Sequence, residues 1–213
     1  MKHILRHVVI AAGLVVGTSL STAASTQTIV DEWATVKVPP PPELKPVTID
    51  NVKETAFLVL DIQRQNCNNQ RRPRCVASVP KIQKFLEEAR AKGMPVIYSR
   101  SSQATAADIL PEVAPRPDEP LVAAPADKFV GSDLEKILKE KGVKTVIVVG
   151  SAAHGAVLYT ASGAAYRRFK VIVPVDGMSS ENTYFEQYVA YQLANVPGAA
   201  KAVTLTTFDM VKF

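Results

Sequence analysis

Residues 144–168 read KTVIVVGSAAHGAVLYTASGAAYRR. Thr145–Val149 is a run of β-branched residues with no alternation, the pattern of a strand buried on both faces of a parallel sheet. Gly150–Gly155 is a turn of small residues. A helix is predicted to follow, with small or apolar residues at Ala156, Val157, Thr160, Ala161, Ala164 and Ala165. A strand, tight turn and helix in that order bring backbone N–H groups to the carboxyl edge of a sheet, where α/β proteins place their chemistry.

Working outward, the same logic repeats. Thr55–Leu60 (TAFLVL) is an apolar strand ending in Asp61. Helical spacing of Val79, Ile82, Phe85, Leu86 and Ala89 predicts a helix over 79–92, closed by Gly93. Strands are expected at 94–98, 121–124, 170–175 and 202–206, and helices at 132–141, with Ser132 as its cap, and at 181–195. Residues 101–120, rich in Pro, Ala and Asp, read as a long loop over the site face. This alternation specifies an α/β fold: three α-β-α layers around a mostly parallel, doubly wound sheet. The loops at 61–78, 99–120, 124–131, 150–155 and 176–181 then open on one rim.

At the other end, Lys2, His3, Arg6 and His7 precede an apolar run, Val8–Leu20, and the small residues Ser21–Ala24. Residues 1–24 therefore read as a secretory signal, the run being short for a bilayer span; a retained anchor is the alternative. Residues 25–51, with Pro39–Pro42 and Pro46, read as a stiff, extended N-terminal arm, and residues 52–213 as the domain. The formal charge is +5, and the first 24 residues hold two of the 25 basic residues and none of the 20 acidic ones, so the remainder carries +3. Scattered charge of that size is not the footprint of a nucleic-acid partner, and no second membrane segment is present in the sequence.

Export colours the reading of Cys67 and Cys75, the only two cysteines: a disulfide closing a short loop is favoured over a reactive thiol. Arg71, Arg72 and Arg74 lie inside that loop, either as an electrostatic lure for an anion or as a solvated tip. His154 is the only histidine outside the leader, so a multi-histidine metal site is excluded, and no Gly-rich phosphate loop of standard spacing occurs. Neither cofactor nor metal is expected. Tyr184, Tyr188 and Tyr191 share one helix face and read as core or subunit contact.

AFLVLDIQ (56–63) together with residues 128–180, from KFVGSDLEKIL through GSAAHGAVLYTA to VDGMSS, resembles the isochorismatase-like cysteine hydrolases, over roughly residues 52–207. The resemblance rests on an apolar strand ending in D-x-Q, a G-[ST]-D-L helix start, and a G-x-x-[TA]-x-G-x-V-x-x-T-A turn and helix before a second aspartate. It implies the fold above, a small-molecule substrate or ligand, and homo-oligomers. It also implies a site in which a Cys attacks a carbonyl-like carbon, an Asp is the base, a Lys polarises the centre, and turn amides beside a non-proline cis peptide hold an oxyanion. The aspartate maps onto Asp61. The nucleophile position falls on Ala156, which cannot attack, and the threonine of the turn is replaced by Ala153. The family lysine would fall near Ala123; the only nearby lysine is Lys128, which either reaches the site from another backbone position or lies on the surface. Ser151, Ala152, Ala153, His154 and Gly155 are the expected ligand-binding turn. Two functions follow: a degenerate hydrolase that binds a small molecule in the retained cleft, or an active hydrolase of a small amide, ester or vinyl ether with a rearranged site.

Overall fold

The computed structural model describes residues 28–213, and the expected signal at 1–24 lies outside them. Two units are distinguished, one ending at Val38 and one spanning Pro39–Phe213. The described part of the first holds α1 (Ile29–Glu32) and a 3-10 turn, Trp33–Thr35. The compact body begins at Pro39, so the second half of the segment read as an arm belongs to the domain. Leu44 packs on the core, and Ile49 is buried.

In the body, β1 (Val47–Thr48) leads to β2 (Thr55–Leu60), α2 (Pro73–Ala91), β3 (Val96–Arg100) and β4 (Leu121–Ala123). There follow α3 (Leu134–Glu140), β5 (Thr145–Ser151), α4 (Leu158–Tyr166), β6 (Lys170–Pro174) and β7 (Met178–Ser179). The chain closes with α5 (Thr183–Asn195), β8 (Val203–Thr206) and β9 (Val211–Lys212). The main sheet is parallel throughout in the order β4-β3-β2-β5-β6-β8, with β7 paired to the end of β5; β1 and β9 form a separate parallel pair. Among the described residues no helix is long and apolar enough to cross a membrane.

Successive side chains of a strand point to opposite faces, and here each face meets its own layer. Ala56, Leu58 and Leu60 of β2 and Val146 and Val148 of β5 join the core shared with α3, α4 and α5. Phe57, Val59, Ile147 and Val149 join the core built on α2 with Ile49 and Phe208. Apolar residues are therefore required at every position, which is why these strands show no alternation.

The strand order also fixes where a site can form. From β2 the chain winds outward to β3 and β4, then returns to place β5 on the other side of β2. Loops leaving β2 and β5 thus diverge, and the crevice between their carboxyl ends is the usual ligand position in such sheets. Gly150 lets the two strands close there: it pairs with Leu60, its φ is 139°, and a Cβ on it would lie 2.0 Å from the Leu60 carbonyl oxygen.

Several boundaries differ from the sequence reading. α2 starts six residues earlier than periodicity suggests, because Pro73 occupies the first turn, where its missing N–H costs nothing. β3 runs 96–100 rather than 94–98, set by its register with β2, Phe57 opposite Val96. β5 continues through Ser151, and one π-helical turn, Ala153–Val157, replaces the second half of the expected tight turn.

Candidate active site

Asp61 is the first residue after β2, at φ 52°, a left-handed conformation that Asp tolerates better than most. Its carboxylate is buried. Oδ1 accepts from Ser99 Oγ at 2.7 Å, and Oδ2 accepts from Lys128 Nζ at 2.7 Å. Lys128 is 1% exposed, and its ammonium also donates to the Ala124 carbonyl at 3.2 Å. The lysine therefore reaches the site, and the surface alternative is excluded. Of its three N–H donors, two are used among the described residues, which leaves one.

The motif residues that sequence could only quote have visible jobs here. Ser132, of the G-[ST]-D-L element, donates to the Lys128 carbonyl at 2.5 Å and accepts from Leu134 N, so it ties the lysine to the start of α3. Thr160, in the V-x-x-T-A segment, accepts from Lys128 N at 3.2 Å and donates to the Ala126 carbonyl at 3.3 Å. Gly163, one turn on, keeps α4 close to this loop: a Cβ there would lie 3.0 Å from the Asp127 carboxylate. Gln63, of D-x-Q, is buried; it donates to Ser101 Oγ at 2.6 Å and accepts from Ser101 N at 3.2 Å, holding the 101–103 loop on the rim. The second aspartate, Asp176, is a brace outside the cleft, accepting from Phe208 N and pairing with Lys81.

Asp61, Lys128, Ser151, Ala152, Gly155 and Ala156 line one cleft of about 400 Å³, closed by Asn66, Arg72, the 101–103 loop and 124–126. The Ser151–Ala152 peptide bond is cis. Ala156 sits in the π-helical turn, 4% exposed. Two members of the expected ligand-binding turn are directed elsewhere. Ala153 is buried in the core, and His154 Nδ1 lies 2.6 Å from Ser180 Oγ with its ring stacked on Phe185 at 4.2 Å. The Gly155 N–H is already bonded to the Ala152 carbonyl. Ala153 and His154 both lie in the π-helical turn Ala153–Val157, whose Gly155 and Ala156 do line the cleft.

Cys67 and Cys75 form a disulfide, with Cα atoms 5.2 Å apart, and neither is a free thiol. The three arginines of that loop separate into different environments. Arg74 pairs with Glu186, Arg71 is half-exposed, and Arg72 is buried against the cleft. Arg72 donates from Nε (2.9 Å) and Nη2 (2.5 Å) to Glu181 Oε1. Burial acts to raise the Glu181 pKa, but the hydrogen bond from Arg72, its own backbone N–H and the positive charge of Arg72 together hold it below the usual carboxylate range. Sequence reasoning put Arg71, Arg72 and Arg74 together in the rim loop without separating Arg72 from the other two, and it missed the supporting roles of Ser99, Asn66 and Glu181. The tyrosine stripe is not core: Tyr184, Tyr188 and Tyr191 are exposed, and α5 buries Val189, Ala190 and Leu193 instead.

A match to the Isochorismatase domain spans residues 55–207. A secreted isochorismatase effector of Verticillium dahliae is 26% identical over 149 residues, 64% of this chain and 78% of the relative. The N-carbamoylsarcosine amidase of an Arthrobacter species is 28% identical over 145 residues, and the match covers 55% of each chain, about half that relative's length. A solved isochorismatase-like hydrolase from Alkaliphilus metalliredigens shares the fold, with a TM-score of 0.67 at 24% identity over 75% of this chain and 95% of that one.

Proposed function

The chain belongs to the isochorismatase family, and from that premise we propose that it is an exported, non-hydrolytic member that binds a small molecule in the family cleft. The observation that carries this reading is the methyl of Ala156 lining the same cleft as the buried Asp61–Lys128 pair. Burying two charges is costly unless their hydrogen bonds are satisfied. Here the pair is held by Ser99, Ala124 and, through the backbone, Ser132 and Thr160, so the polar end of the cleft is kept intact although the family's nucleophile position holds the methyl of Ala156. The remaining Lys128 N–H and the unused Asp61 lone pairs suit a ligand that both accepts and donates, such as an amide or a carbamoyl group.

Active hydrolysis by a rearranged site is the second reading, and Ser151, which lines the cleft next to the cis peptide, is its best nucleophile. It lacks a base. Its Oγ faces the Arg72 guanidinium at 3.5 Å, a group that accepts no proton, and the His154 imidazole is engaged with Ser180. The two sulfurs are bonded to each other and supply no thiolate. Export is supported by the leader-like first 24 residues, by the disulfide, and by the secreted relative. Association into homo-oligomers is supported by the exposed tyrosines of α5 with Tyr159 and Tyr166 of α4.

The test is to restore the thiol. Ala156→Cys is expected to react with iodoacetamide at least tenfold faster at pH 7 than an unperturbed cysteine, because the cation of Lys128 shares its cleft. A thiol of ordinary reactivity would show that the cleft no longer has the electrostatics this reading requires.

A further inference from the structure

We propose that the amino edge of the main sheet, the end away from the cleft, docks on an anionic phospholipid bilayer. The inference rests on the chain being exported and is independent of what the cleft binds. Two neighbouring hollows run along this edge, where the strands of the parallel sheet begin. Lys144, Lys170 and Lys201 line the first, with Asp50 and Glu54. Lys53, Arg90, Arg116 and Lys141 line the second, with Asp118 and Glu119. Charges scattered along the sequence are gathered in space, because crossover connections return every strand entry of a parallel sheet to one end.

Seven cations against four carboxylates leave an excess of three, equal to the whole formal charge of residues 25–213, +3. The rest of the chain beyond the leader is neutral on balance. Two of the cations are paired: Lys144 Nζ lies 2.8 Å from Glu54, and Arg90 Nη2 lies 2.6 Å from Glu119. Lys53 donates to the Gly93 carbonyl. Lys53, Arg116, Lys141, Lys170 and Lys201 have no carboxylate partner among the described residues, and all five are exposed.

The kind of partner follows from the chemistry and spread of these groups. From β4 to β8 the edge spans five strand spacings, about 24 Å, too wide for one small anion. Four of the five unpaired cations are lysines, point charges on flexible stems that impose no fork geometry, which suits a layer of mobile phosphate headgroups. Among the described residues, neither hollow is lined by an aromatic ring on which a nucleic-acid base could stack. Each cation held near an anionic leaflet adds an attraction that fades within a Debye length. With this edge on the bilayer, the cleft at the carboxyl ends of β2 and β5 faces away from the lipid and stays open to solvent.

The experiment is co-sedimentation of residues 25–213 with vesicles, the expected leader being left off because its apolar run would itself enter a bilayer. Phosphatidylcholine vesicles with about 30% phosphatidylglycerol are compared with pure phosphatidylcholine, at about 50 and about 500 mM salt. At low salt the lipid concentration for half binding is expected to be about tenfold lower, or less still, with the anionic lipid, and at high salt that advantage is expected to vanish. Lys170→Glu with Lys201→Glu is expected to raise it about tenfold or more. Arg64→Glu with Lys84→Glu, the same charge change on exposed residues of the loop after β2 and of α2, is expected to leave it within about twofold. Equal binding to both kinds of vesicle, binding indifferent to salt, or equal loss in the two double variants would overturn the inference. So would labelled duplex DNA bound more tightly than the anionic vesicles with the same dependence on Lys170 and Lys201, since the edge would then serve a nucleic acid. The lipid and salt comparisons need no variant, so a variant that fails to fold leaves them to decide. Cell fractionation tests export separately, so that failure of the export reading and failure of the docking surface are read apart.

Discussion

Replacing Lys128 by Met tests the structural heart of the site. The substitution keeps an unbranched chain of similar length and removes the ammonium, leaving Asp61, 6% exposed, with Ser99 Oγ as its remaining side-chain donor. Breaking a buried pair by removing one partner costs about 3–5 kcal/mol, because the other charge stays buried without compensation. For a domain of this size each kcal/mol corresponds to about 2–4 °C, so the melting temperature is expected to fall by about 6–20 °C. The double variant Asp61→Asn with Lys128→Met removes both charges and is expected to recover stability, with a coupling of about 2–3 kcal/mol in the cycle. Urea unfolding followed by far-ultraviolet circular dichroism is the suitable assay, since the single tryptophan, Trp33, lies in the N-terminal unit and is exposed. A Lys128→Met variant within about 1 kcal/mol of wild type, or single changes that add to within about 0.5 kcal/mol, would refute the claim that these two groups depend on one another.

Other perturbations follow from the same geometry. Cys67→Ala with Cys75→Ala opens a loop of sequence separation 8, and chain entropy puts the loss at about 2.5 kcal/mol, measured as a lower urea midpoint. A midpoint unchanged by both substitutions would show that the loop is held without the bond. Gly150→Ala places a methyl against the Leu60 carbonyl at a φ that alanine disfavours, and is expected to cost about 3–5 kcal/mol by strain and overpacking; a soluble, normally stable variant contradicts that. Glu181 has a folded pKa below its unfolded one, so its contribution is present above about pH 4.3 and is lost as pH falls through the folded value. Wild type is therefore expected to exceed Glu181→Gln in stability at pH 7, and the difference to shrink as pH falls below about 4.3, by urea unfolding at each pH; a constant difference would contradict the pairing.

Much of the architecture was readable because β2 and β5 must be apolar at every position, and that demand is written directly into TAFLVL and TVIVV. Asp61 was readable for the same reason, as a charge ending a strand that tolerates none. Lys128 was not: its distance from Asp61 is decided by how the 124–131 loop lies on α4, through Thr160 and Gly163, and offsets along a chain do not encode that. Arg71, Arg72 and Arg74 are equivalent in sequence, and what separates them is whether Glu181 or Glu186, more than a hundred residues later, stands opposite. The tyrosine stripe shows the limit of periodicity. It placed three tyrosines on one face of α5, but the face that packs is chosen by Val189, Ala190 and Leu193. The π-helical turn that holds Ala153 and His154 had no sequence signal.

The claim that the family cleft is kept for binding and not for hydrolysis is tested most directly by incubating purified wild-type protein with small amides, esters and vinyl ethers and following product by mass spectrometry. Release no faster than in buffer, with the same release from Asp61→Asn, is the predicted result. Turnover by the wild type that falls by orders of magnitude in Asp61→Asn would contradict the account and place a working nucleophile in a cleft where Ala156 offers none.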